Sequence, residues 1–190
     1  QMTHSKFNQY CPHCVEANTR RKANYRRKEV NIKRPTEFGE SITMDHFYGK
    51  DQRAKNVIGE GDALVVYDLA TDFGYCYPVS DKGAFSATDA LCHFKGKRKI
   101  QYVYSDKAPA LTKAVRMCGG QQETAIPHEY SVPGDPATNG LAETMVKRSI
   151  HGIRANLSQA GLPRAYWRHA GRHHWMARNI ETREGGGSPW

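Results

Sequence analysis

Two apolar runs joined by a polar turn occupy residues 63–79, ALVVYDLATDFGYCYPV. The first run, 63–70, is almost continuously apolar, which predicts a strand that is buried on both of its faces. The second run, 75–79, contains Pro78, which cannot donate a ladder hydrogen bond, so we expect this strand at the edge of a sheet. Residues 71–74, TDFG, favour chain reversal. The stretch therefore predicts an antiparallel hairpin.

The sequence on either side of this hairpin predicts the rest of the fold. Residues 41–48 alternate apolar and polar side chains, as a half-buried strand does, and are expected beside the first hairpin strand. Further elements are predicted as helix 84–95, strand 99–104, helix 109–118, strand 122–127, helix 138–160 and helix 164–180. This order predicts an α/β fold with a mixed five-stranded sheet, three antiparallel strands followed by two parallel ones, flanked by helices.

The ends of the chain differ in composition from its middle. Residues 1–35 are polar and strongly basic with almost no aliphatic side chain, so they cannot build a core of their own. We predict three parts: a remnant of a zinc-binding module with a basic linker at 1–35, a core domain at 36–182, and a Gly-rich tail at 183–190 that begins a linker. Both ends are interpreted as cuts through a longer polypeptide.

Charge and composition narrow the classes of partner. The net charge of +9 and the pI of about 9.4 point to a polyanion, with nucleic acid ahead of an anionic membrane surface. No apolar run approaches the roughly 20 residues that cross a bilayer, so no membrane span is expected. Five scattered cysteines, an odd number, indicate reduced thiols in an intracellular protein rather than a disulfide framework.

Three acids far apart in the sequence are candidates for one catalytic cluster. Asp45 lies in the first strand, Asp106 follows the fourth, and Glu143 lies one turn into the long helix. Adjacent parallel strands place Asp45 and Asp106 side by side, with Glu143 across from them. Such carboxylates repel one another unless divalent cations intervene, and two Mg²⁺ or Mn²⁺ ions suit oxygen ligands. Asp68 is a competing acid, and each acid alone is more commonly a turn or cap residue.

Several pieces of the sequence, in order, resemble the integrase catalytic cores of retroviruses and of copia- or gypsy-like retrotransposons. They are 42–46 (ITMDH), 64–79, 104–106 (YSD), 132–143 (VPGDPATNGLAE) and 161–163 (GLP) with Trp167. The interval between Asp106 and Glu143 is close to the one usual in that family. The resemblance extends over about residues 8–180 and rests on the order and spacing of the pieces together.

This resemblance implies an RNase H-like fold for the core domain. It implies an enzyme that uses two Mg²⁺ or Mn²⁺ ions on Asp45, Asp106 and Glu143 for 3′-end processing and for strand transfer, which joins element DNA to target DNA. It also implies a homo-oligomer assembled on DNA ends, acting in the nucleus and without a membrane partner. DNA-contacting positions of the family fall on Asn139 and Lys147, and Arg154 lies near the same helix face.

A pair of cysteines near the start, Cys11 and Cys14, resembles the second half of the family's N-terminal His-His-Cys-Cys zinc module. The pair alone is a weak signal because structural zinc takes four ligands. The two histidines are expected upstream of this sequence, and His4 and His13 are interpreted as bystanders. A partial Zn²⁺ site is therefore the prediction.

One residue departs from the family pattern. Lys107 follows Asp106 where the family commonly has asparagine. Two interpretations stay open: Lys107 holds a scissile phosphate, or it pairs with Asp106 and competes with a metal. Two alternative functions also stay open. One is an impaired integrase-derived module that binds or assembles on DNA, and the other is a nuclease of the same fold that only hydrolyses. The Glu143 and Lys147 spacing fits a simple helix ion pair equally well.

The last predicted helix carries many basic and aromatic side chains. They are Arg164, Arg168, His169, Arg172, His173, His174, Trp175 and Arg178. One helix face cannot use all of the histidines as zinc ligands, so we interpret this helix as a solvated, phosphate-binding surface. With the basic segments 20–34 and 95–99, it predicts DNA binding that is steeply salt-dependent and largely independent of sequence.

Overall fold

The computed structural model describes residues 10, 34–48, 61–120, 125–132, 139–182 and 186–190. The strands are β1 (Ile42–Tyr48), β2 (Asp62–Asp68), β3 (Gly74–Val79), β4 (Val103–Ser105) and β5 (His128–Tyr130). The α-helices are α1 (Ala84–Lys95), α2 (Pro109–Gly119), α3 (Gly140–Ala160) and α4 (Trp167–Ile180), with a 3₁₀ turn at Arg164–Tyr166 before α4. All of these elements lie in one compact unit, Lys33–Trp190. None of the helices in these described ranges has both the length and the apolar character to span a bilayer.

The five strands form one sheet in the order β3-β2-β1-β4-β5. β1 and β3 both run antiparallel to β2, whereas β4 runs parallel to β1 and β5 runs parallel to β4. The predicted α/β class, the mixed sheet and its division into three antiparallel and two parallel strands are therefore confirmed. Pro78 lies on β3 at the edge of the sheet, as its missing N–H requires.

β2 separates two apolar cores. Its side chains alternate between them: Leu64 and Val66 pack towards α1 and α2, and Val65 and Tyr67 pack towards α3 and α4. The strand is buried on both faces, which explains why its sequence is almost continuously apolar. The helices consequently cover both faces of the sheet in two layers.

The two short parallel strands differ from their predicted ranges. The fourth strand is predicted at 99–104, but β4 spans only Val103–Ser105. The Gln101 N–H donates to the carbonyl of Gly39, a turn residue, at 2.7 Å, so Gln101 is not part of a strand ladder. Of the strand predicted at 122–127, residues 122–124 lie outside the described residues, 125–127 are not in the sheet, and β5 begins at His128. Ile126 packs against the core from the segment before β5. Its apolar side chain therefore does not mark a ladder residue.

The interpretation of α4 as a solvated surface is correct for Arg172 and His173, which are exposed, and wrong for Trp175. The Trp175 indole is 0% exposed, and its Nε1–H donates to Ser149 Oγ of α3 at 2.9 Å. A Cβ atom on Gly74 of β3 would overlap the indole ring, so the glycine makes room for it. Trp175 thus fixes α4 against both the sheet and α3.

Candidate active site

Asp45, in the middle of the inner strand β1, lies beside Asp106, which directly follows the inner strand β4. Met44 of β1 and Ser105 of β4 are register partners in the parallel pair, so the two following residues continue in step. Met44 is buried in the core on the α1 and α2 side of the sheet. Because successive strand side chains point to opposite faces, Asp45 points to the other face, which α3 covers.

The start of α3 lies against Asp45. Asn139, immediately before the helix, donates from Nδ2 to Asp45 Oδ2 at 3.4 Å, a long hydrogen bond. The backbone N–H of His46 donates to Asp45 Oδ1 at 2.8 Å. Glu143 lies in the first turn of α3, one turn beyond Asn139. Asn139 and Glu143 therefore lie near Asp45, although they are 94 or more positions away from it in the chain.

The pKa of Asp45 depends on its burial and on the charges of the other two acids. Burial, then the charge of Asp106, and then the charge of Glu143 raise the pKa of Asp45 from its ordinary value of 3.8 to about 6. The His46 backbone N–H and the positive charge of Lys82 act in the opposite direction and are outweighed. The three acids thus interact electrostatically, and they are named here the carboxylate cluster.

The surroundings of Asp106 also contain polar atoms without protein partners. Asp106 Oδ1 is buried and has no hydrogen-bond partner within the part of the chain that the structure describes. Ser105 Oγ donates to the Asp106 backbone carbonyl at 2.8 Å and lies 2.9 Å from His128 Nε2. Burial lowers the pKa of His128 even though Asp106 is near. Ser105 therefore links the His128 ring to the backbone of Asp106.

The chemistry of the carboxylate cluster fits a hard divalent cation. All its donors are carboxylate oxygens, which Mg²⁺ and Mn²⁺ prefer, and a cation would relieve the repulsion that raises the Asp45 pKa. In the ranges that the structure describes, however, no three His, Cys, Asp or Glu side chains are grouped so that they could hold an ion. The acids are close enough to interact electrostatically and are not arranged as a preformed three-ligand cage. The predicted metal ligands stay a prediction.

The remaining predicted residues lie at different distances from this cluster. Lys107, next to Asp106, is exposed. Lys147 Nζ lies 3.8 Å from Glu143 Oε2, and both side chains are well exposed, 71% and 42%. Arg154 is exposed on the same helix, roughly 16 Å along the axis from Glu143 at 1.5 Å per residue. Cys11 and Cys14 fall outside the described residues.

Asp68, the competing acid, has a structural role. Its Oδ1 accepts the Gly39 N–H at 2.8 Å, and its Oδ2 accepts the N–H and the hydroxyl of Thr71 at 2.8 and 2.7 Å. The side chain is 0% exposed. Its oxygens therefore hold the turn after β2 and the loop before β1, and they are not directed to the carboxylate cluster.

Sequence reasoning missed three residues around the cluster: His46, Lys82 and His128. The Nε2 atom of His46 is buried without a partner in the described part of the chain, and burial, followed by Lys82, lowers its pKa. His46 stands directly after Asp45, so its position was a signal that could have been used. Lys82 and His128 come from a turn and a short strand, and only the folded chain brings them here.

The electrostatics of Asp45 predict a dependence of stability on pH. Because its pKa is about 6 when folded and about 3.8 when unfolded, the folded chain binds the proton more tightly. The stabilisation from that proton is present below about pH 4 and is lost as the pH rises to about 6. We therefore expect Asp45→Asn to be roughly 2–3 kcal/mol more stable than the parent at pH 7.5 in EDTA, with a smaller difference at pH 4. Urea denaturation at the two pH values measures this, and equal differences at both would contradict it.

No protein-family model matches the chain. Over 85 residues it is 32% identical to the "Retrovirus-related Pol polyprotein from transposon TNT 1-94" of Nicotiana tabacum, a match that covers 44% of this chain and 6% of that polyprotein. This chain is related to a retroelement polyprotein. Since the match spans a small part of that protein, the choice among retroelement activities rests on the site.

For a retroelement-derived chain, the arrangement of the carboxylate cluster is informative. Its three acids come from the middle of β1, from the residue after β4 and from the first turn of α3, and they approach one another closely enough to interact electrostatically. The retroelement relationship and this proximity are independent observations. Together they provide the basis for a functional proposal.

Proposed function

We propose that this retroelement-derived chain is an integrase catalytic core that processes DNA 3′ ends and joins them to target DNA. The observation that carries the proposal is the position of the Asp45 carboxylate, where burial first, and then the charges of Asp106 and Glu143, raise its pKa to about 6. Stability alone does not favour three acids with little compensating charge. Such a grouping is typical of a site where charged ligands bind.

The protein groups have separate roles in this proposal. Asp45, Asp106 and Glu143 would hold two Mg²⁺ or Mn²⁺ ions, which activate the attacking hydroxyl and stabilise the leaving oxygen of a phosphodiester when bound. Asn139 and the His46 N–H each bond one oxygen of Asp45 and thereby orient its carboxylate. His128 bonds Ser105, and this contact holds the residue that precedes Asp106.

We further propose that the exposed basic side chains beside the cluster bind the DNA backbone. Lys107 adjoins Asp106, and Lys147 and Arg154 continue along the exposed face of α3. A lysine there meets phosphate as a point charge and contributes no sequence information. The chain would act on DNA in the nucleus as a homo-oligomer, and the Cys11 and Cys14 pair would belong to a partial zinc site.

Lys147→Gln is expected to weaken DNA binding about equally for different sequences. It should also reduce the slope of log affinity against log salt concentration by roughly one, because one phosphate contact is lost. The exposed ion pair with Glu143 contributes little, so the free energy of unfolding should change by less than about 0.5 kcal/mol. Fluorescence anisotropy of labelled duplexes over a series of salt concentrations measures both effects. Lys113→Gln on α2, across the sheet from α3, is the matched control and should retain parental affinity.

The proposed function is tested by incubating the full chain with a labelled oligonucleotide that carries an element end and with Mn²⁺. Products longer than the substrate are the expected result, because strand transfer joins one DNA to another. Shortened products alone would indicate a nuclease that only hydrolyses. Binding with no product of either kind would contradict the enzymatic proposal.

A second candidate function is an integrase-derived module that binds or assembles on DNA without catalysis. Two observations favour it: Glu143 is already paired with Lys147 at 3.8 Å, and the exposed Lys107 adjoins Asp106. Lys147 supplies positive charge to Glu143, and Lys107 places a positive charge next to Asp106 in the chain. The oligonucleotide experiment separates the two candidates, since the module shifts DNA mobility and forms no joined product.

A further inference from the structure

Two thiols lie in contact outside the carboxylate cluster. Cys92 on α1 is exposed, and Cys118 near the C-terminal end of α2 is 7% exposed. Their sulfur atoms are 2.8 Å apart, with a hydrogen bond from the Cys92 S–H to the Cys118 sulfur, and both are free cysteines. The two residues are 26 positions apart in the chain. The packing of α1 against α2 therefore brings them together.

The geometry of this pair suits a covalent bond. The sulfur atoms of a disulfide are about 2.05 Å apart, so a movement of roughly 0.8 Å would join these two. Gly119 and Gly120 follow Cys118, and Gly120 has a φ of 77°, which ends the helix directly after the thiol. The other described cysteine, Cys76, is buried on the opposite side of the sheet and is not part of the pair.

We propose that Cys92 and Cys118 are an oxidation site that forms a reversible disulfide with a small-molecule disulfide, such as oxidised glutathione, as the oxidant. The exposed Cys92 thiolate attacks one glutathione sulfur, breaks the glutathione S–S bond and expels one glutathione thiolate. The Cys118 thiolate then attacks Cys92 Sγ and expels the second. Two protein thiols are oxidised, one glutathione disulfide is reduced, and the two thiol protons pass to the glutathione thiolates.

The surroundings of the pair favour this order of events. Cys118 is the buried member, and burial, followed by the hydrogen bond from Cys92, raises the pKa of its thiol to about 12. Only Cys92 is open to a solute, so it reacts first. Lys95 lies one turn beyond Cys92, and its Nζ is 3.5 Å from the Cys118 carbonyl. Its positive charge facilitates deprotonation of Cys118 in the second step.

The bond would restrain one layer of the fold. It would join α1 to the end of α2, the two helices that cover the face of the sheet opposite α3 and α4. Closing a loop of this length in the unfolded chain reduces its conformational entropy, so the oxidised protein should be the more stable form. The proposed Cys92–Cys118 disulfide does not depend on the proposed integrase function, because it involves no residue of the carboxylate cluster.

The test is oxidation of the full chain with oxidised glutathione, followed by peptide mass spectrometry without reduction. The expected result is a linked Cys92–Cys118 peptide pair, about 2 Da lighter than the two separate peptides since two hydrogens are lost. The melting temperature should rise by roughly 5–10 °C on oxidation and return when dithiothreitol is added. Recovery of only glutathione adducts on Cys92, or no change in melting temperature, would overturn the proposal.

Two variants serve as controls. Cys92→Ser should fold normally, because residue 92 is exposed, and should show no rise in melting temperature on oxidation. Cys76→Ala removes a thiol that is not part of the pair and should keep both the linked peptide and the rise. A rise that persists in Cys92→Ser would show that a different pair of cysteines is responsible.

Discussion

Asp45→Asn is expected to reduce the joining of labelled DNA by more than about a hundredfold. Loss of groups that merely orient metal ligands costs about 10–100-fold in metal affinity or activity, and Asp45 is proposed as a ligand. Asparagine keeps the size and the hydrogen-bonding capacity of the side chain but removes the negative charge that attracts a cation. The measurement is the yield of joined product per unit time at fixed Mn²⁺ and DNA concentrations.

The control for this variant is Asp89→Asn. Asp89 is exposed on α1 and lies away from the carboxylate cluster, so its variant should join DNA at the parental rate. Asp45→Asn should also be at least as stable as the parent at neutral pH, since the pKa of Asp45 is raised by its surroundings. Urea denaturation of the variant separates loss of activity from loss of folding. Retention of joining by a folded Asp45→Asn protein would remove the active-site assignment.

Trp175→Ala is expected to lower the free energy of unfolding by about 3–5 kcal/mol, the usual cost of deleting a fully buried aromatic side chain. The indole is 0% exposed, packs 6.1 Å from the Tyr67 ring and donates to Ser149. Removing it leaves a cavity between α3, α4 and the sheet, and removes one of the two hydrogen bonds of the buried Ser149 hydroxyl, which still donates to the Met145 carbonyl. Urea denaturation followed by far-UV circular dichroism measures the change.

The matched control for this variant is Trp190→Ala. Trp190 is 82% exposed, although its ring lies 6.0 Å from Phe73. Its removal should cost less than about 1 kcal/mol, because little apolar area returns to water. Similar losses for the two tryptophan variants would show that Trp175 is not part of the core.

Local patterns were sufficient to predict most of the sheet. The continuous apolar run of β2, the TDFG turn and Pro78 specified a hairpin with β3 at the edge, and the structure has that arrangement. The short parallel strands were less predictable. Three residues of β5 pair with three of β4, and so short a ladder leaves no alternation that a sequence pattern can reveal.

The interpretation of α4 shows a different limit. Arginine and histidine dominate its sequence, so the helix looks solvated throughout, yet Trp175 and Asn179 are both buried. Asn179 makes two hydrogen bonds with the backbone of Gly74. Its Nδ2 donates to the Gly74 carbonyl, and its Oδ1 accepts from the Gly74 N–H. A buried polar side chain is recognisable only when its partner, here 105 positions away, is known.

Prediction of the candidate site was limited in the same way. The expectation that the strands of Asp45 and Asp106 are parallel neighbours predicted that these two acids lie side by side, and the register of β1 with β4 places them so. The tight hydrogen bonding of Asp68 was not predictable, because Gly39 and Thr71 approach it from separate turns. Nor did any pattern associate Lys82 with Asp45, since charge acts through space and not along the sequence.

The central claim is that Asp45, Asp106 and Glu143 bind divalent cations as one group. It is tested most directly by anomalous diffraction from a crystal of the full chain grown with Mn²⁺. We expect anomalous density within coordination distance of Asp45 and Asp106, with the Glu143 carboxylate turned from Lys147 towards it. Density at another position, or none at millimolar Mn²⁺ while Glu143 stays paired with Lys147, would show that the three acids do not bind a cation as one group.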